Sequence, residues 1–73
     1  MSQVIIGRIY RHYKGNWYRA LLIALDCETL EEMVVYENIR TGKTWVRPKK
    51  IFLGMAKKDG KSVERFRLVG KSN

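Results

Sequence analysis

Residues 7–18 read GRIYRHYKGNWY and contain four of the eight aromatic side chains of the chain, together with its one histidine. The stretch is typical of a β-strand, a tight turn and the start of a second strand, because aromatic and β-branched residues favour strands. Gly15 and Asn16 tolerate the positive φ angles that a short hairpin connection needs. The sequence therefore predicts that these residues form a β-hairpin.

Outside the hairpin, runs of apolar and β-branched residues alternate with turn residues and predict further strands. Residues 17–25 also contain Ala and Leu, which favour a helix. We prefer a strand because the segment follows a turn directly, begins with two aromatic residues and lacks a convincing N-cap. The predicted strands lie near residues 8–13, 17–25, 33–39, 44–47 and 63–69.

The predicted connections are short. Residues 26–32 form an acidic connection too short for a stable helix. Pro48 should end the fourth strand because it lacks an N–H donor, and residues 49–53 should then form a helical turn. Residues 54–62 are polar, contain an Asp-Gly turn signal at 59–60, and are predicted to be a loop.

These elements predict one all-β domain over residues 1–73, with an ordered core at about 7–69. The expected architecture is a small five-stranded, strongly bent SH3-like barrel with a short helical turn before the last strand. A five-stranded oligonucleotide-binding barrel is the alternative, although it usually has longer strands and a proper helix.

Length and composition exclude several classes of protein. A chain of 73 residues buries only roughly 60% of its unfolded surface, so its core is thin. No apolar run approaches the ~20 residues that cross a bilayer, and the apolar run near the start is too short for a signal peptide. The single Cys27 cannot form an internal disulfide. We therefore expect a cytoplasmic protein with no membrane association.

The charge is strongly positive and unevenly placed. The formal net charge is +8. Residues 26–37 carry five of the seven acidic side chains and no basic one, so the rest of the chain is very basic. This distribution suggests an anionic partner for the basic surface. The alternative is that the charges only keep the surface solvated, since lysine tolerates exposure well.

Several motifs are spread along the chain: Y-R-H-Y-K-G at 10–15, E-T at 28–29 with Glu31 or Glu32, V-V-Y at 34–36, W-V-R-P at 45–48, Phe52 and R-F at 65–66. Together they resemble a bacterial and phage family of short domains of unknown function. The resemblance extends from residue 7 to about residue 68 and implies a small, often stand-alone protein with an SH3-type barrel. One departure is that the family tends to have His-Ser where this chain has Asp26-Cys27, so any role of a second histidine there is absent or altered.

The candidate binding site combines aromatic and charged side chains that we expect to converge on one concave patch. Tyr10 and His12 are two residues apart on a strand and so point to the same side of the sheet. The planar guanidinium of Arg47 suits a carboxylate or a phosphate, and Glu28 is expected to hold it in the free protein. The alternative is that Tyr10 and His12 fill one end of the barrel and Arg47 bridges loops. The predicted binding residues are Tyr10, His12, Glu28, Tyr36, Trp45 and Arg47, and the predicted basic patch is Arg8, Arg11, Lys14, Lys49 and Lys50.

The pattern predicts a non-enzymatic binding module with an aromatic-basic groove. Aromatic side chains interleaved with arginine are used by single-stranded nucleic acid and nucleotide binders, which we favour. Peptide-binding grooves use the same residue types, so a protein- or peptide-binding adaptor is the second possibility. A small enzyme using His12 and Glu28 is the third. Cys27 lies between two acidic residues that disfavour its thiolate, and one Cys with one His cannot complete a usual zinc site, so we expect no catalytic cysteine, metal or cofactor.

Overall fold

The computed structural model describes residues 3–70, and these residues are all-β apart from one short helix. The elements in chain order are β1 Ile9–His12, β2 Trp17–Leu25, β3 Glu32–Asn38, β4 Thr44–Pro48, α1 Lys49–Phe52, β5 Met55–Lys58, β6 Lys61–Glu64 and β7 Phe66–Leu68. Five strands form an antiparallel sheet in the order β4-β3-β2-β1-β7, and β5 and β6 form a separate hairpin.

The all-β class is confirmed, whereas the five-stranded barrel is wrong in two respects. The described chain has seven strands, and the larger sheet is open because β4 and β7 are its two edges. The strand predicted at residues 17–25 is confirmed with the same bounds, so tertiary pairing overrides the helix propensity of Ala and Leu. The helical turn after Pro48 is present as α1.

The loop predicted at residues 54–62 is largely wrong, because this segment forms the hairpin of β5 and β6. Asp59 and Gly60 have φ angles of 52° and 78°, and a two-residue hairpin turn of type I′ requires positive φ at both of its central residues. The strands escaped prediction because their polar, lysine-rich sequence shows no apolar alternation. The single strand predicted at 63–69 is also wrong, since Arg65 separates β6 from β7.

Strand β4 includes Pro48 as its last residue, where it pairs with Met33, instead of ending at residue 47. The N–H of Asn38 bonds to the carbonyl of Lys43, so the alternation of an antiparallel pair turns the backbone of residues 44, 46 and 48 away from β3. The missing N–H of Pro48 would therefore face the free edge of the sheet. Proline is tolerated at such an edge position.

The hydrophobic core lies on one face of the large sheet, which we call the inner face, and α1 covers it. Phe52 of α1 and Phe66 of β7 stack with their ring centroids 4.0 Å apart and their planes at 7°. Tyr10 and Tyr36 pack edge-on against Phe52, with centroid distances of 5.2 and 5.4 Å. Phe52, Phe66 and Val34 are buried, whereas Tyr18 is only half-buried. The buried cluster comprises Tyr10, Ala20, Val34, Tyr36, Phe52 and Phe66.

A β-bulge between Ala20 and Leu22 interrupts the pairing of β2 with β3. Bulges bend a strand and increase its twist, which here curves the sheet around the thin core. Beyond the bulge, Leu22 pairs with Val35 on the outer face, the side of the sheet opposite the core.

Helix α1 has four residues, and no helix in residues 3–70 is long and apolar enough to cross a membrane.

Candidate functional site

A cleft with a volume of about 280 Å³ opens where β1, its turn to β2, and the strands β3, β4 and β7 meet. We call it the His12 cleft. Its walls combine aromatic rings with positively charged side chains. The lining residues are His12, Tyr13, Lys14, Asn16, Tyr18, Tyr36, Trp45, Arg47, Arg65 and Phe66.

The floor of the His12 cleft is aromatic and is part of the core. Phe66 lies opposite His12 in the β1–β7 pairing, and Tyr36 lies opposite Trp45 in the β3–β4 pairing. The rings of Tyr36 and Phe66 meet edge-on with centroids 5.3 Å apart, and Tyr18 packs edge-on against both. Trp45 lies on an edge strand and half of its surface is exposed. The cleft therefore has a closely packed aromatic floor and one large, accessible aromatic wall.

His12 is held as a neutral imidazole. Its Nδ1 accepts a hydrogen bond from the backbone N–H of Lys14 at 3.1 Å, so the proton of the neutral ring lies on Nε2. Partial burial, followed by the positive charges of Arg47, Lys14 and Arg65, lowers the pKa of His12 below its usual value of 6.5. At neutral pH, His12 can therefore donate a hydrogen bond from Nε2.

Arg47 is fixed over the floor of the cleft. Its Nε donates a hydrogen bond to the hydroxyl of Tyr36 at 3.2 Å, and its guanidinium lies 5.6 Å from the centre of the Phe66 ring. The Nε contact leaves the terminal nitrogens of the guanidinium as further donors. Planar guanidinium groups bind phosphate and carboxylate through two parallel hydrogen bonds.

Arg65 adds a second guanidinium to the same cleft. Its position is set by the break between β6 and β7, where a terminal nitrogen donates to the carbonyl of Met55 at 3.3 Å. The guanidinium lies 6.0 Å from the centre of the Tyr13 ring. Within residues 3–70, its buried Nε has no hydrogen-bond partner. A buried donor without a partner is costly, and an added acceptor would relieve that cost.

The electrostatics of the His12 cleft are one-sided. Lys14, Arg47 and Arg65 line it, and no Asp or Glu of the described residues does so. The two ion pairs found in residues 3–70, Lys49 with Glu32 and Lys50 with Glu31, lie elsewhere. Three cations around a neutral histidine form a site that favours an anion.

The structure brings four of the six predicted binding residues together in the His12 cleft: His12, Tyr36, Trp45 and Arg47. Tyr10 is only 4% exposed, and its hydroxyl accepts a hydrogen bond from the backbone N–H of Ile5. Its side chain contributes to the core and does not line the cleft.

Glu28 lies apart from the other predicted binding residues. It belongs to the turn between β2 and β3, where the Asp26 carboxylate accepts hydrogen bonds from the N–H groups of Glu28 and Thr29. These bonds lower the pKa of Asp26. Strand β2 separates this turn from the β1–β2 turn, so Glu28 and His12 lie toward opposite ends of β2. The hydrogen bond of the Arg47 Nε goes to Tyr36 instead of Glu28.

The predicted basic patch is divided among several places. Lys14 lines the His12 cleft, and Arg11 lines a neighbouring cleft of about 480 Å³. Lys49 and Lys50 pair with Glu32 and Glu31 of the acidic connection. Arg8 lies on β1's N-terminal side and lines neither cleft.

Sequence reasoning missed five lining residues of the His12 cleft, of which Arg65 is the charged one: Tyr13, Asn16, Tyr18, Arg65 and Phe66. In a continuous strand, alternation would place the Arg65 side chain on the side of the sheet opposite to Phe66. The break at Arg65 removes that alternation. The R-F motif at residues 65–66 was the available signal, because it paired this arginine with a core aromatic residue.

The described residues offer no evident metal site. No group of three or more His, Cys, Asp or Glu side chains in residues 3–70 could hold a metal ion. Cys27 is exposed in the same turn as Glu28, away from the His12 cleft. The arrangement around His12 is suited to binding an anion by hydrogen bonds and charge.

Comparison with known proteins identifies the family. A family described as "Protein of unknown function (DUF1653)" matches residues 8–68. The crystal structure of a DUF1653 protein from Bordetella bronchiseptica is similar over 100% of this chain and 97% of its own, with 33% sequence identity and a TM-score of 0.79. No curated protein matches the chain. The chain therefore belongs to the DUF1653 family of proteins of unknown function.

Proposed function

We propose that the protein is a non-enzymatic binding module whose His12 cleft receives a nucleotide or a nucleotide unit of single-stranded nucleic acid. The observation that carries the proposal is the lining of the cleft, where Lys14, Arg47 and Arg65 surround aromatic rings without a carboxylate among the described residues. An anion with an aromatic ring matches both halves of this lining.

Each half of such a ligand has a partner in the cleft. The exposed ring of Trp45 offers a stacking surface for a base, an interaction worth about 1–3 kcal/mol. Arg47 and Arg65 offer guanidinium donors to a phosphate, and the Nε2–H of His12 offers a neutral donor. A phosphate between these groups would favour the charged form of His12, because it offsets the neighbouring positive charges.

The geometry argues against acid–base catalysis by the pair His12 and Glu28. Acid–base catalysis by His12 and Glu28 needs both groups within hydrogen-bond reach of one substrate. Glu28 does not line the His12 cleft, and the turn that carries it lies at the far end of β2. This part of the proposal would be contradicted if the wild-type protein turned over a substrate and the Glu28→Gln variant did not.

Calorimetric titration with thymidine 5′-monophosphate and, separately, with inorganic phosphate tests the proposal. We expect the nucleotide to bind more tightly than phosphate, because only the nucleotide can stack on Trp45. Arg47→Gln should weaken nucleotide binding at least tenfold. Arg40→Gln, which removes the same charge from an exposed turn residue outside the cleft, should bind like the wild type. Absent or non-saturable nucleotide binding at low salt, or equal losses in the two variants, would contradict the proposal.

A protein- or peptide-binding adaptor is the second candidate, and a different surface favours it. Leu22, Val35 and Val46 lie side by side on the outer face, and Leu22 and Val46 are 49% and 58% exposed. Val46 belongs to the edge strand β4, which can accept a further strand. A partner that is lost with Val46→Lys but retained with Arg47→Gln would support the adaptor in place of the nucleotide binder.

Two further parts of the proposal concern fold type and location. The curved five-stranded sheet covered by α1 supports an SH3-like relationship, although the sheet is open. The exposed, unpaired thiol of Cys27 supports a reducing, cytoplasmic location. Recovery of the protein outside the cytoplasm after cell fractionation would overturn the location.

A further inference from the structure

We propose that the ligand is a single-stranded oligonucleotide that runs from the His12 cleft into the neighbouring cleft, so that a mononucleotide fills only part of the site. The inference rests on the proposed function and specifies its ligand class. We call the neighbouring cleft, of about 480 Å³, the Arg67 cleft. It lies beside the β1–β7 pair and is not needed to hold one nucleotide.

The β1–β2 turn borders both clefts, because His12, Tyr13 and Lys14 line each of them. Arg11 and Arg67 lie on the face of the β1–β7 pair opposite to His12 and Phe66, so a bound chain would reach them by passing around this turn. Lys14 is exposed, with its ammonium group 5.9 Å from the centre of the Tyr13 ring. A chain leaving the His12 cleft would therefore pass a cation and an aromatic ring at the junction.

The Arg67 cleft has its own excess of positive charge. Arg11 and Arg67 are directly opposite each other in the β1–β7 pairing, and like charges in that position destabilise a sheet. Arg11 lies 6.0 Å from the centre of the Trp17 ring, and the ammonium of Lys58 donates to the carbonyl of Tyr13 at 3.3 Å. Glu64 also lines the cleft, but neither ion pair of the described residues involves Arg11 or Arg67. An anion here would relieve the repulsion between the two arginines.

The separation of the charges indicates more than one phosphate. Arg47 and Arg65 line only the His12 cleft, whereas Arg11 and Arg67 line only the Arg67 cleft. A mononucleotide carries one phosphate group and cannot contact both sets. Single-stranded nucleic acid supplies phosphates at regular intervals along a flexible backbone, with bases available to stack on aromatic side chains.

The test compares thymidine 5′-monophosphate, (dT)2, (dT)4 and (dT)8 by titration at several salt concentrations. Affinity should rise at least tenfold from the mononucleotide to (dT)4. A rise of this size exceeds the statistical gain that a one-nucleotide site would show because the longer chain offers it several equivalent nucleotides. Arg67→Gln should leave mononucleotide binding within twofold of the wild type. For (dT)8, the same variant should reduce the log–log salt slope by about 0.7, the value for one phosphate contact on a single strand. Arg40→Gln is the charge-matched control and should leave that slope unchanged.

Each contrary result has a distinct meaning. If the mononucleotide binds and length has no effect, or if Arg67→Gln and Arg40→Gln change the (dT)8 slope equally, the oligonucleotide path is wrong while the proposed function stands. If neither mononucleotide nor oligonucleotide binds, both are wrong. Equal displacement of (dT)8 by poly-glutamate of the same charge would also overturn the inference, because it would show attraction to any polyanion.

Discussion

Arg47 allows the binding role of the cleft to be separated from its structural role. Arg47→Ala removes the hydrogen bond to Tyr36 and the contact with the Phe66 ring. The hydrogen bond is worth about 1 kcal/mol and the cation–ring contact about 0.5–1 kcal/mol. Loss of a charge beside Lys14 and Arg65 offsets part of this, so the free energy of unfolding should fall by about 1–2 kcal/mol.

The expected change in melting temperature follows from the size of the domain. A loss of 1 kcal/mol lowers the melting temperature by about 4–8 °C in a domain of 60–100 residues. Arg47→Ala should therefore melt roughly 4–16 °C below the wild type and remain folded at room temperature. Tyr36→Phe removes the same hydrogen bond and keeps the guanidinium, so it should lose about 1 kcal/mol. Thermal unfolding followed by tryptophan fluorescence measures both variants.

The affinity for nucleotide should differ between Arg47→Ala and Tyr36→Phe, although both variants lose stability. Loss of a charged hydrogen bond to phosphate costs about 1.5–3 kcal/mol, so Arg47→Ala should weaken binding of thymidine 5′-monophosphate roughly 10- to 150-fold. Tyr36→Phe should bind within about twofold of the wild type, because the phosphate donors remain. The reasoning is refuted if Arg47→Ala binds normally, or if it loses more than about 3 kcal/mol of stability, as removal of a structural residue would.

The remaining predictions concern pH, the core and the β5–β6 turn. Because the pKa of His12 is lowered in the folded state, the unfolded chain gains a proton first as the pH falls below about 6.5. Stability should therefore decrease on acidification from that pH toward the lowered folded pKa, and His12→Gln should reduce this decrease in urea titrations at a series of pH values. Phe52→Ala should lower the free energy of unfolding by about 3–5 kcal/mol. Ile51→Ala, at an exposed position of the same helix, should lower it much less. Similar losses for the two variants in denaturant unfolding would contradict the described core. Gly60→Ala should lower the free energy of unfolding by about 1 kcal/mol because φ is positive at this position. The added methyl group has no neighbour within 4 Å, so no steric clash adds to this cost. Gly60→Asn should lower the free energy of unfolding less in the same thermal assay. Equal stability of Gly60→Ala and the wild type would argue against the turn.

The sequence was informative about the fold where apolar alternation and turn chemistry agreed. Strand β2 was predicted with its observed bounds because two aromatic residues follow a Gly-Asn turn directly. Strands β5 and β6 were missed because their lysine-rich sequence carries no apolar period, and only the Asp-Gly signal at residues 59–60 marked their turn. Closure into a barrel depends on whether the edge strands pair, which no local pattern specifies.

The candidate site was only partly predictable for a related reason. His12, Tyr36, Trp45 and Arg47 were grouped from their residue types, and the sheet register brings them to one cleft. Glu28 was included because its charge suits Arg47, but its distance from the cleft depends on the length and course of β2. Arg65 was missed because the sequence does not reveal the break that turns it toward the cleft.

Nucleotide binding in the His12 cleft is tested most directly by a ¹H–¹⁵N NMR titration of the full chain with thymidine 5′-monophosphate at low salt. We expect saturable shifts centred on the His12 ring, the Trp45 indole N–H and the Arg47 side chain, with an increase in the pKa of His12 when the nucleotide is bound. Shifts confined to the outer face around Leu22 and Val46, or no saturable shift at all, would contradict the claim that the His12 cleft is a nucleotide site.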